Sequence, residues 1–472
     1  MPNVVRCRDI FRGLRSVPAR RARAPYRHPV PGAATLGRVK ALDRDILRLA
    51  IPAFGALVAE PLFLLTDTAL IGHLGEVPLA GLGIASALLQ TAIGLLVFLA
   101  YATTPAVARR LGAGDKPGAI RAGIDGLWLA LVLGIAVAAA GLLLIDPLIG
   151  LFTTDAAVAG QAHTYLAISL LGIPAMLLVI AATGLFRGLQ DTRTPLLIAV
   201  CGFAANALLN VVFIYGLGAG IAGSAWGTVA AQWAMAAVYL VIAVRASRAS
   251  RVSLRPGLAG VGGAARSGLW LLLRTASLRA ALLGTVLVAS GLGVTQLATF
   301  QIAVTIFFTA AFMLDALAIA GQAMIGHGLG AADVPRVSAI TRRLVQLGLI
   351  SGAVLGGVLA ALATVIGPVF SPSADVQHAL AVTLLVMAAG LPLAGVVFVL
   401  DGVLIGAGDA RYLAVSGLAN LVVYLPLLWA VALASPAGVL GLVWLWLAFG
   451  LGYMGARCVT LGLRARGTRW LV

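Results

Sequence analysis

Two acidic residues stand inside an otherwise apolar stretch near the beginning of the chain. Glu60 and Asp67 belong to the segment AEPLFLLTDTALIG, which has the composition of a membrane span. A charged side chain at the centre of a bilayer costs about 3 kcal/mol or more, so these acids require an explanation. Their spacing of seven residues places both on one face of a helix. A carboxylate held away from water favours its protonated form. Such acids can load and release a proton, or bind Na⁺ through their oxygens.

Amide and hydroxyl groups in two later apolar stretches can serve as partners for these acids. Asn206 and Asn210 are four residues apart and therefore share a helix face. Thr228 lies midway along the next apolar stretch. Together with the two acids, these groups can form one site for a proton or for Na⁺. The competing interpretation is a set of polar contacts between packed helices.

Two further acids occur in the second half of the chain. Asp315 lies in MLDALAIAGQ and Asp401 in VLDGVLIG, both of them apolar stretches. These residues form either a second polar site or a network that bridges helices, and the sequence does not decide between the two.

The composition excludes a soluble protein. Of the 472 residues, 61% are hydrophobic and only 10% are charged, whereas soluble domains carry roughly 25% charged residues. The chain has no phosphate-binding loop and no zinc motif, and its histidines lie in loops, in tails or near the ends of apolar stretches. We therefore expect a membrane protein without a cofactor and without enzymatic activity.

Twelve apolar stretches are long enough to span a bilayer, which takes about 20 residues. They predict an all-α membrane protein of twelve helices. The stretches lie near residues 46–70, 84–107, 122–146, 161–185, 194–216, 221–244, 277–293, 300–325, 344–367, 378–405, 412–433 and 437–456.

Loops that carry arginine or lysine alternate with loops that carry neither. RRLGAGDKPGAIR, FRGLQDTRTP and GAGDARY are of the first kind, and GHLGEVPLAG and ASPAG are of the second. Because basic loops face the cytoplasm, the pattern predicts a multi-pass protein of the plasma (inner) membrane with both termini in the cytoplasm. The net charge of +17 then reflects topology, and we expect no nucleic-acid partner.

The two halves of the chain align without a gap at a constant offset of 218 residues. Since six spans separate the copies, both begin on the same side of the membrane, and the repeat is parallel. This predicts two six-helix lobes around a central cleft, an architecture that supports alternating access. The expected segments are a disordered basic tail that contacts lipid (1–45), the N-lobe (46–245), a cytoplasmic linker (246–276), the C-lobe (277–460) and a second tail (461–472).

The repeat also serves as an internal control, because residues needed for folding tend to occur in both halves. The polar set of the first half has no counterpart in the second, which favours a function for it. The aligned pairs are Glu60 with Leu278, Asp67 with Thr285, Asn206 with Tyr424, and Asn210 with Leu428.

A Gly–Asp–Arg pattern, by contrast, occurs in both halves, in FRGLQDTRTP and in LIGAGDARY. We therefore expect a structural role for it, as a helix end with a tight turn and an Asp–Arg pair or cap. The residues concerned are Arg187, Asp191, Arg193, Asp409 and Arg411.

Five segments in this order resemble the multidrug and toxic compound extrusion (MATE) family, and within it the subgroup named for DNA-damage-inducible protein F. They are PLFLLTDTALIGHLG, FRGLQDTRTPL, NALLNVVFIYGLGAGIAGSAWGT, LDALAIAGQAMIGHGLGA and LDGVLIGAGDARY. The resemblance runs from about residue 45 to residue 460. It implies a twelve-helix fold and the export of small organic compounds, often cationic or amphipathic, driven by H⁺ or Na⁺.

The resemblance also assigns roles to individual residues. It matches the coupling acid of the first span, the polar pair of the fifth, the threonine of the sixth, the proline that lets the first span bend, and the acid typical of the subgroup. These are Asp67, Asn206 with Asn210, Thr228, Pro52 and Glu60, respectively. One departure is Asn210, where archaeal-type members carry aspartate, so the coupling ion stays open between H⁺ and Na⁺.

The sequence thus predicts a monomeric secondary transporter that exports small organic compounds by antiport with H⁺ or Na⁺. The nearest alternative is a flippase for lipid-linked saccharides of the same superfamily. Such flippases usually carry more basic residues in the cleft, whereas the candidate cleft spans here carry acids and almost no arginine.

Overall fold

The computed structural model describes residues 33–434 and 438–471, and within them every side chain except those of residues 33–39 and 60. Most of the expected tail at 1–45 and the side chain of Glu60 lie outside this part. The chain divides into a unit of residues Met1–Asp43, described only by the start of a helix at Ala33, and a unit of residues Arg44–Val472. All contacts below belong to the second unit.

The described part of the chain is helical and contains no strand. Within the described residues, eleven helices are long and apolar enough to cross a membrane, and the number is twelve if a pair bent by 50° is counted as one span. The all-α expectation is confirmed. The spans are α1 Ala33–Gly72, α2 Glu76–Gly112, α3 Lys116–Leu143, α4 Ala156–Leu170 with Ile173–Gly188, α5 Arg193–Gly216, α6 Gly220–Ala249, α7 Leu258–Gly291, α8 Val294–Gly330, α9 Val334–Phe370, α10 Ala374–Gly406, α11 Ala410–Ala434 and α12 Val439–Arg466.

The 218-residue repeat is visible in the helix caps. Asp115 caps α3 by accepting a hydrogen bond from the backbone of Gly118, and Asp333 caps α9 by accepting one from Arg336. Such caps satisfy N–H groups that a helix start otherwise leaves without a partner. The same local sequence therefore starts the third helix of each half.

Close packing inside the lobes repeats as well. A Cβ atom at Gly134 of α3 would lie 2.6 Å from the Cα atom of Pro174 in α4, and one at Gly352 of α9 would lie 2.8 Å from the Cα atom of Pro392 in α10. Both distances are too short for a side chain. Since the two pairs differ by the repeat offset, the two six-helix lobes pack their helices in the same way.

The lobes meet backbone against backbone where α2 crosses α8, at the end of the bundle that carries the arginine-rich loops, called the basic end below. A Cβ atom at Gly112 would overlap the carbonyl oxygen of His327, and one at Gly330 would overlap that of Arg109. The two contacts are related by the repeat offset, so the crossing lies on the pseudo-twofold axis. Only glycine allows so close an approach, and the lobes are in contact at this end.

Near the crossing, the first helix of each half also packs against the other lobe. Ala53 of α1 packs in an apolar cluster with Ala316 and Ile319 of α8. Similarly, Gly268 of α7 lies so close to the ring of Phe98 in α2 that a Cβ atom would overlap it. The first helix of each half thus bridges the two lobes.

The connector between the lobes is shorter than the expected linker at 246–276. Only residues 250–257 lie between helices α6 and α7, because the run LWLLLR, which ends in Arg274, is part of α7. The connector is attached to α3, where the Trp128 indole donates a hydrogen bond to the carbonyl of Leu254 (2.8 Å) and Asp125 accepts one from Gly257 (2.8 Å).

Candidate functional site

Asp67 of α1 lies at the centre of a buried polar cluster in the N-lobe. Its side chain is 4% exposed. The amide of Asn210 donates a hydrogen bond to one carboxylate oxygen, and the hydroxyl of Tyr165 donates a longer one, 3.4 Å, to the other. The acid is therefore held by α5 and by α4 through hydrogen-bond donors, which reduce the cost of burying a carboxylate.

The remaining predicted residues extend this cluster into one chain of hydrogen bonds. The Asn210 amide also donates to the Asn206 side-chain oxygen (3.1 Å), and the Asn206 amide donates to the Thr228 hydroxyl (3.0 Å). The structure thus brings together four residues that are up to 161 positions apart in the sequence. Glu60 belongs to α1, but its side chain is outside the described part.

Local backbone features make room for this chain. A Cβ atom at Gly227 of α6 would overlap the side-chain oxygen of Asn210, so glycine at this position lets α5 and α6 approach. Directly after Asn210, α5 ends in a π-helical turn, Val212–Gly216, and such turns are frequent at functional sites. Pro52 lies inside α1, where it removes one helix hydrogen bond.

One buried oxygen beside Asp67, the side-chain oxygen of Asn210, makes no hydrogen bond among the described residues. The hydroxyls of Ser169 and Ser224 are close to the same cluster, because both interact with the Tyr165 hydroxyl. Unpaired buried oxygens are rare and call for a ligand, a water or an ion. The cluster therefore has the capacity to accept a proton or to surround a small cation with oxygens.

The acids of the second half lie in a different environment. Asp401 of α10 accepts a hydrogen bond from the Arg274 Nε of α7 (3.1 Å) and forms an ion pair with Arg457 of α12 (3.2 Å). Asp315 of α8 interacts electrostatically with Asp401, Arg274 and Arg187 of α4. Both acids thus belong to one charged network that bridges helices of the two lobes.

The repeated loop motifs take up two structural roles. Asp191 accepts hydrogen bonds from the backbone of Arg193 (3.0 Å) and of Thr194 (3.0 Å) at the start of α5. Asp409 instead pairs with Arg464 at the end of α12 (2.6 Å), while the guanidinium of Arg411 lies 5.9 Å from the centre of the Trp270 ring.

Three residues of these clusters are absent from the sequence prediction. Tyr165 is one tyrosine in an apolar span, and nothing in its neighbourhood distinguishes a hydrogen-bonding tyrosine from a packing one. Arg274 fell in the expected linker, and Arg457 resembles the basic residues of the second tail. Both arginines lie inside helices that extend further than the apolar stretches of the sequence predict.

The chain matches known proteins over most of its length. The family model described as MatE matches residues 52–212 and 279–430, one segment in each lobe. The chain is 30% identical to Protein DETOXIFICATION 43 of Arabidopsis thaliana over 490 residues, covering 90% of this chain and 91% of the relative. It is 27% identical to DNA damage-inducible protein F of Escherichia coli over 383 residues, covering 78% and 81%, respectively.

Solved structures show the same fold. One is described as the outward-facing conformation of a multidrug resistance MATE family transporter of the MOP superfamily, with a TM-score of 0.81, 24% identity and coverage of 90% of this chain and 95% of that one. The family model matches a segment in each lobe, the relatives have a similar length, and the fold has twelve helices in two lobes. The chain therefore belongs to the MatE family of multi-pass membrane efflux transporters.

Proposed function

We propose that the protein is a secondary active exporter of small organic compounds and that Asp67 is the group through which H⁺ or Na⁺ entry drives export. The observation that carries this proposal is the buried carboxylate with its chain of partners, Asn210, Asn206 and Thr228. An ionisable group inside the membrane is costly and marks an ion pathway. Apart from the coupling ion, the proposed transport needs no cofactor.

The cluster lends itself to ion loading because it joins four helices. Binding of a proton to Asp67 removes the charge that the Asn210 amide and the Tyr165 hydroxyl stabilise. Binding of Na⁺ would instead recruit the oxygens of Asn210, Ser169 and Ser224. Either event changes the contacts of α1 with α4 and α5, and Pro52 gives α1 a point at which it can bend. Differential binding of ion and substrate to two conformations is then sufficient for antiport.

Orientation and substrate class follow from charge. The alternation of basic and uncharged loops supports a plasma-membrane protein with its basic end and both termini in the cytoplasm. The acid and amides of the N-lobe favour cationic or amphipathic organic substrates. We propose a monomer as the working unit, because one chain supplies both lobes. A flippase for lipid-linked saccharides is the alternative, and the buried arginines of the C-lobe are the observation that favours it.

Flux measurements in proteoliposomes test the proposal. Addition of a transported organic cation should release protons, or Na⁺, from vesicles that contain the native chain, and the ion that moves identifies the coupling. Asp67→Asn should remove this flux while the protein still elutes as a single folded species. Full export by Asp67→Asn would refute the assignment of Asp67.

A further inference from the structure

A cavity of about 270 Å³ lies at the basic end, away from the Asp67 cluster. Tyr101 and Arg109 of α2 form one wall, and Ser267 of α7 lies opposite. Asp409, between α10 and α11, and Arg469, after the end of α12, complete the polar lining. The cavity is thus bounded by both lobes and by the C-terminal segment.

The lining of this cavity is more basic than acidic. It contains two arginines and one aspartate, and Arg464 already pairs with that aspartate, Asp409 (2.6 Å). Arg469 is exposed and stands next to Trp470, which is only 4% exposed and donates a hydrogen bond to the carbonyl of Ala465. The buried indole fixes the segment that carries Arg469, so the arginine belongs to the wall.

Behind Tyr101 lies the charged network of the C-lobe. The Arg274 guanidinium is 5.9 Å from the centre of the Tyr101 ring. Arg274 and Arg457 share a single carboxylate, that of Asp401, with Nε–Oδ1 and Nη2–Oδ1 distances of 3.1 and 3.2 Å. Asp315 and Arg187 belong to the same network, so its three guanidiniums and two carboxylates leave one positive charge in excess. Excess charge inside a membrane protein is costly unless a partner of opposite sign balances it.

The repeat shows that the fold does not require this charge. The positions equivalent to Asp401 and Arg457 hold Thr183 and Tyr239, whose hydroxyl groups form a neutral hydrogen bond of 3.2 Å. The position equivalent to Arg274 holds Ala56. None of these three equivalent positions in the N-lobe carries a charged residue.

The repeat gives the same result for two residues of the cavity wall. The position equivalent to Tyr101 holds Ile319, which packs with Ala53 in an apolar cluster. The position equivalent to Ser267 holds Leu49, which is buried. The other polar residues of the wall, Arg109, Asp409 and Arg469, align with His327, Asp191 and Arg251, so only Tyr101 and Ser267 have apolar partners in the repeat.

From the basic lining and the excess charge behind it we infer that the cavity binds an oxyanion, a carboxylate or a phosphate group, which reaches it at the basic end. Arg469 and the Ser267 hydroxyl are the donors at the wall, and the one excess positive charge of the whole network, with Asp315 and Arg187 included, attracts the anion across Tyr101. The group belongs either to a small soluble anion or to the headgroup of an acidic phospholipid. This site is independent of the coupling role proposed for Asp67.

Cysteine modification tests the inference without measuring transport. In a background in which Cys7, Cys201 and Cys458 are replaced by serine, Ser267→Cys places a thiol in the exposed part of the cavity wall. A negatively charged methanethiosulfonate should modify this thiol about tenfold faster than a positively charged one, because the excess charge attracts it. Ser290→Cys, exposed near the opposite end of α7, is the matched control and should show no such preference.

Ligand protection and a charge-removing variant complete the test. Inorganic phosphate or malonate should slow modification of Ser267→Cys by an uncharged reagent if the ligand is soluble. Nanodiscs that contain phosphatidylglycerol instead of phosphatidylcholine should slow it if the ligand is a lipid. Arg469→Gln should lower the preference for the negative reagent several-fold, and Arg469→Lys should retain it. Equal preferences at positions 267 and 290, or protection by neither ligand, would overturn the inference.

Discussion

The two lobes carry residues of different polarity at the positions that the repeat makes equivalent. In the N-lobe two of these positions hold Asp67 and Asn206, which belong to a single hydrogen-bonded chain. In the C-lobe the same positions hold Thr285 and Tyr424, whose hydroxyl groups bond to each other at 2.8 Å. Around Tyr424 the C-lobe adds an aromatic cluster, with the rings of Tyr453, Phe449 and Trp446 at centroid distances of 5.1 to 6.4 Å.

Nearer the basic end the comparison reverses. There the C-lobe holds the ion pairs of Asp401, and the N-lobe holds the neutral pair of Thr183 and Tyr239. Each half of the repeat therefore contributes its own charged residues, and the equivalent positions in the other half hold neutral residues. Since the helices pack alike in both lobes, the charges are additions to a fold that does not need them.

The largest effect on stability is expected from Asp401→Asn. The change removes the carboxylate that pairs with both Arg274 and Arg457, and removing one partner of a buried ion pair costs about 3–5 kcal/mol. Thermal unfolding in detergent measures the loss. The matched control is Thr183→Val at the equivalent place, which removes one neutral hydrogen bond and should cost about 1 kcal/mol. Equal losses in the two variants would mean that the charged cluster is no different from its neutral counterpart.

Asn210→Leu should rank second, and its main effect should be on transport. The residue is replaced by the one that the C-lobe carries at the equivalent position, Leu428. The change removes a hydrogen bond to a carboxylate, worth about 1.5–3 kcal/mol, and leaves Asp67 with the longer bond from Tyr165. We expect ion-coupled export to fall to background in the flux assay. The control is Leu428→Ala, which leaves the Asp67 cluster intact; unchanged coupling in Asn210→Leu would separate Asn210 from the ion site.

The third prediction concerns the crossing that both lobes share. Gly112→Ala inserts a Cβ atom against the His327 carbonyl, and overpacking of this kind costs about 1–3 kcal/mol. Gly330→Ala should cost the same, because the crossing is symmetric. Distances between spin labels across the basic end should increase in both variants. Gly455→Ala, with no atom within 4 Å of the added Cβ, is the control, and a clear difference between the two crossing variants would contradict the symmetry.

Periodicity and repeat explain how much of this arrangement the sequence predicts. The spacing of Asp67 from Glu60 and of Asn206 from Asn210 assigns residues to helix faces, and the parallel repeat indicates which residues are not framework. These arguments predict the twelve helices and the contact among Asp67, Asn206 and Asn210. They need only local geometry and the offset between the halves.

The rest depends on how far a helix extends and on its register against its neighbours. The basic residues of the expected linker at 246–276 are typical of a loop, yet Arg274 lies within α7 and pairs with Asp401 on α10. Tyr165 meets Asp67 only because α4 packs beside α1. No pattern along one helix predicts a contact that is set by two, and the ion pairs of the C-lobe are contacts of this kind.

The smallest effect is expected from Tyr424→Phe, which sharpens the comparison from the C-lobe side. The change removes one neutral hydrogen bond with Thr285 and keeps the ring in the aromatic cluster, so it should cost about 1 kcal/mol and leave ion-coupled export unchanged. Asn206→Ala, at the equivalent place in the N-lobe, should lose a similar amount of stability but should also reduce coupling. The two variants therefore separate stability from transport. If Tyr424→Phe impaired coupling as strongly as Asn206→Ala, the polar cluster of the N-lobe and the aromatic cluster of the C-lobe would act as one site. The proposal that only the N-lobe cluster couples ion binding to export would then be wrong.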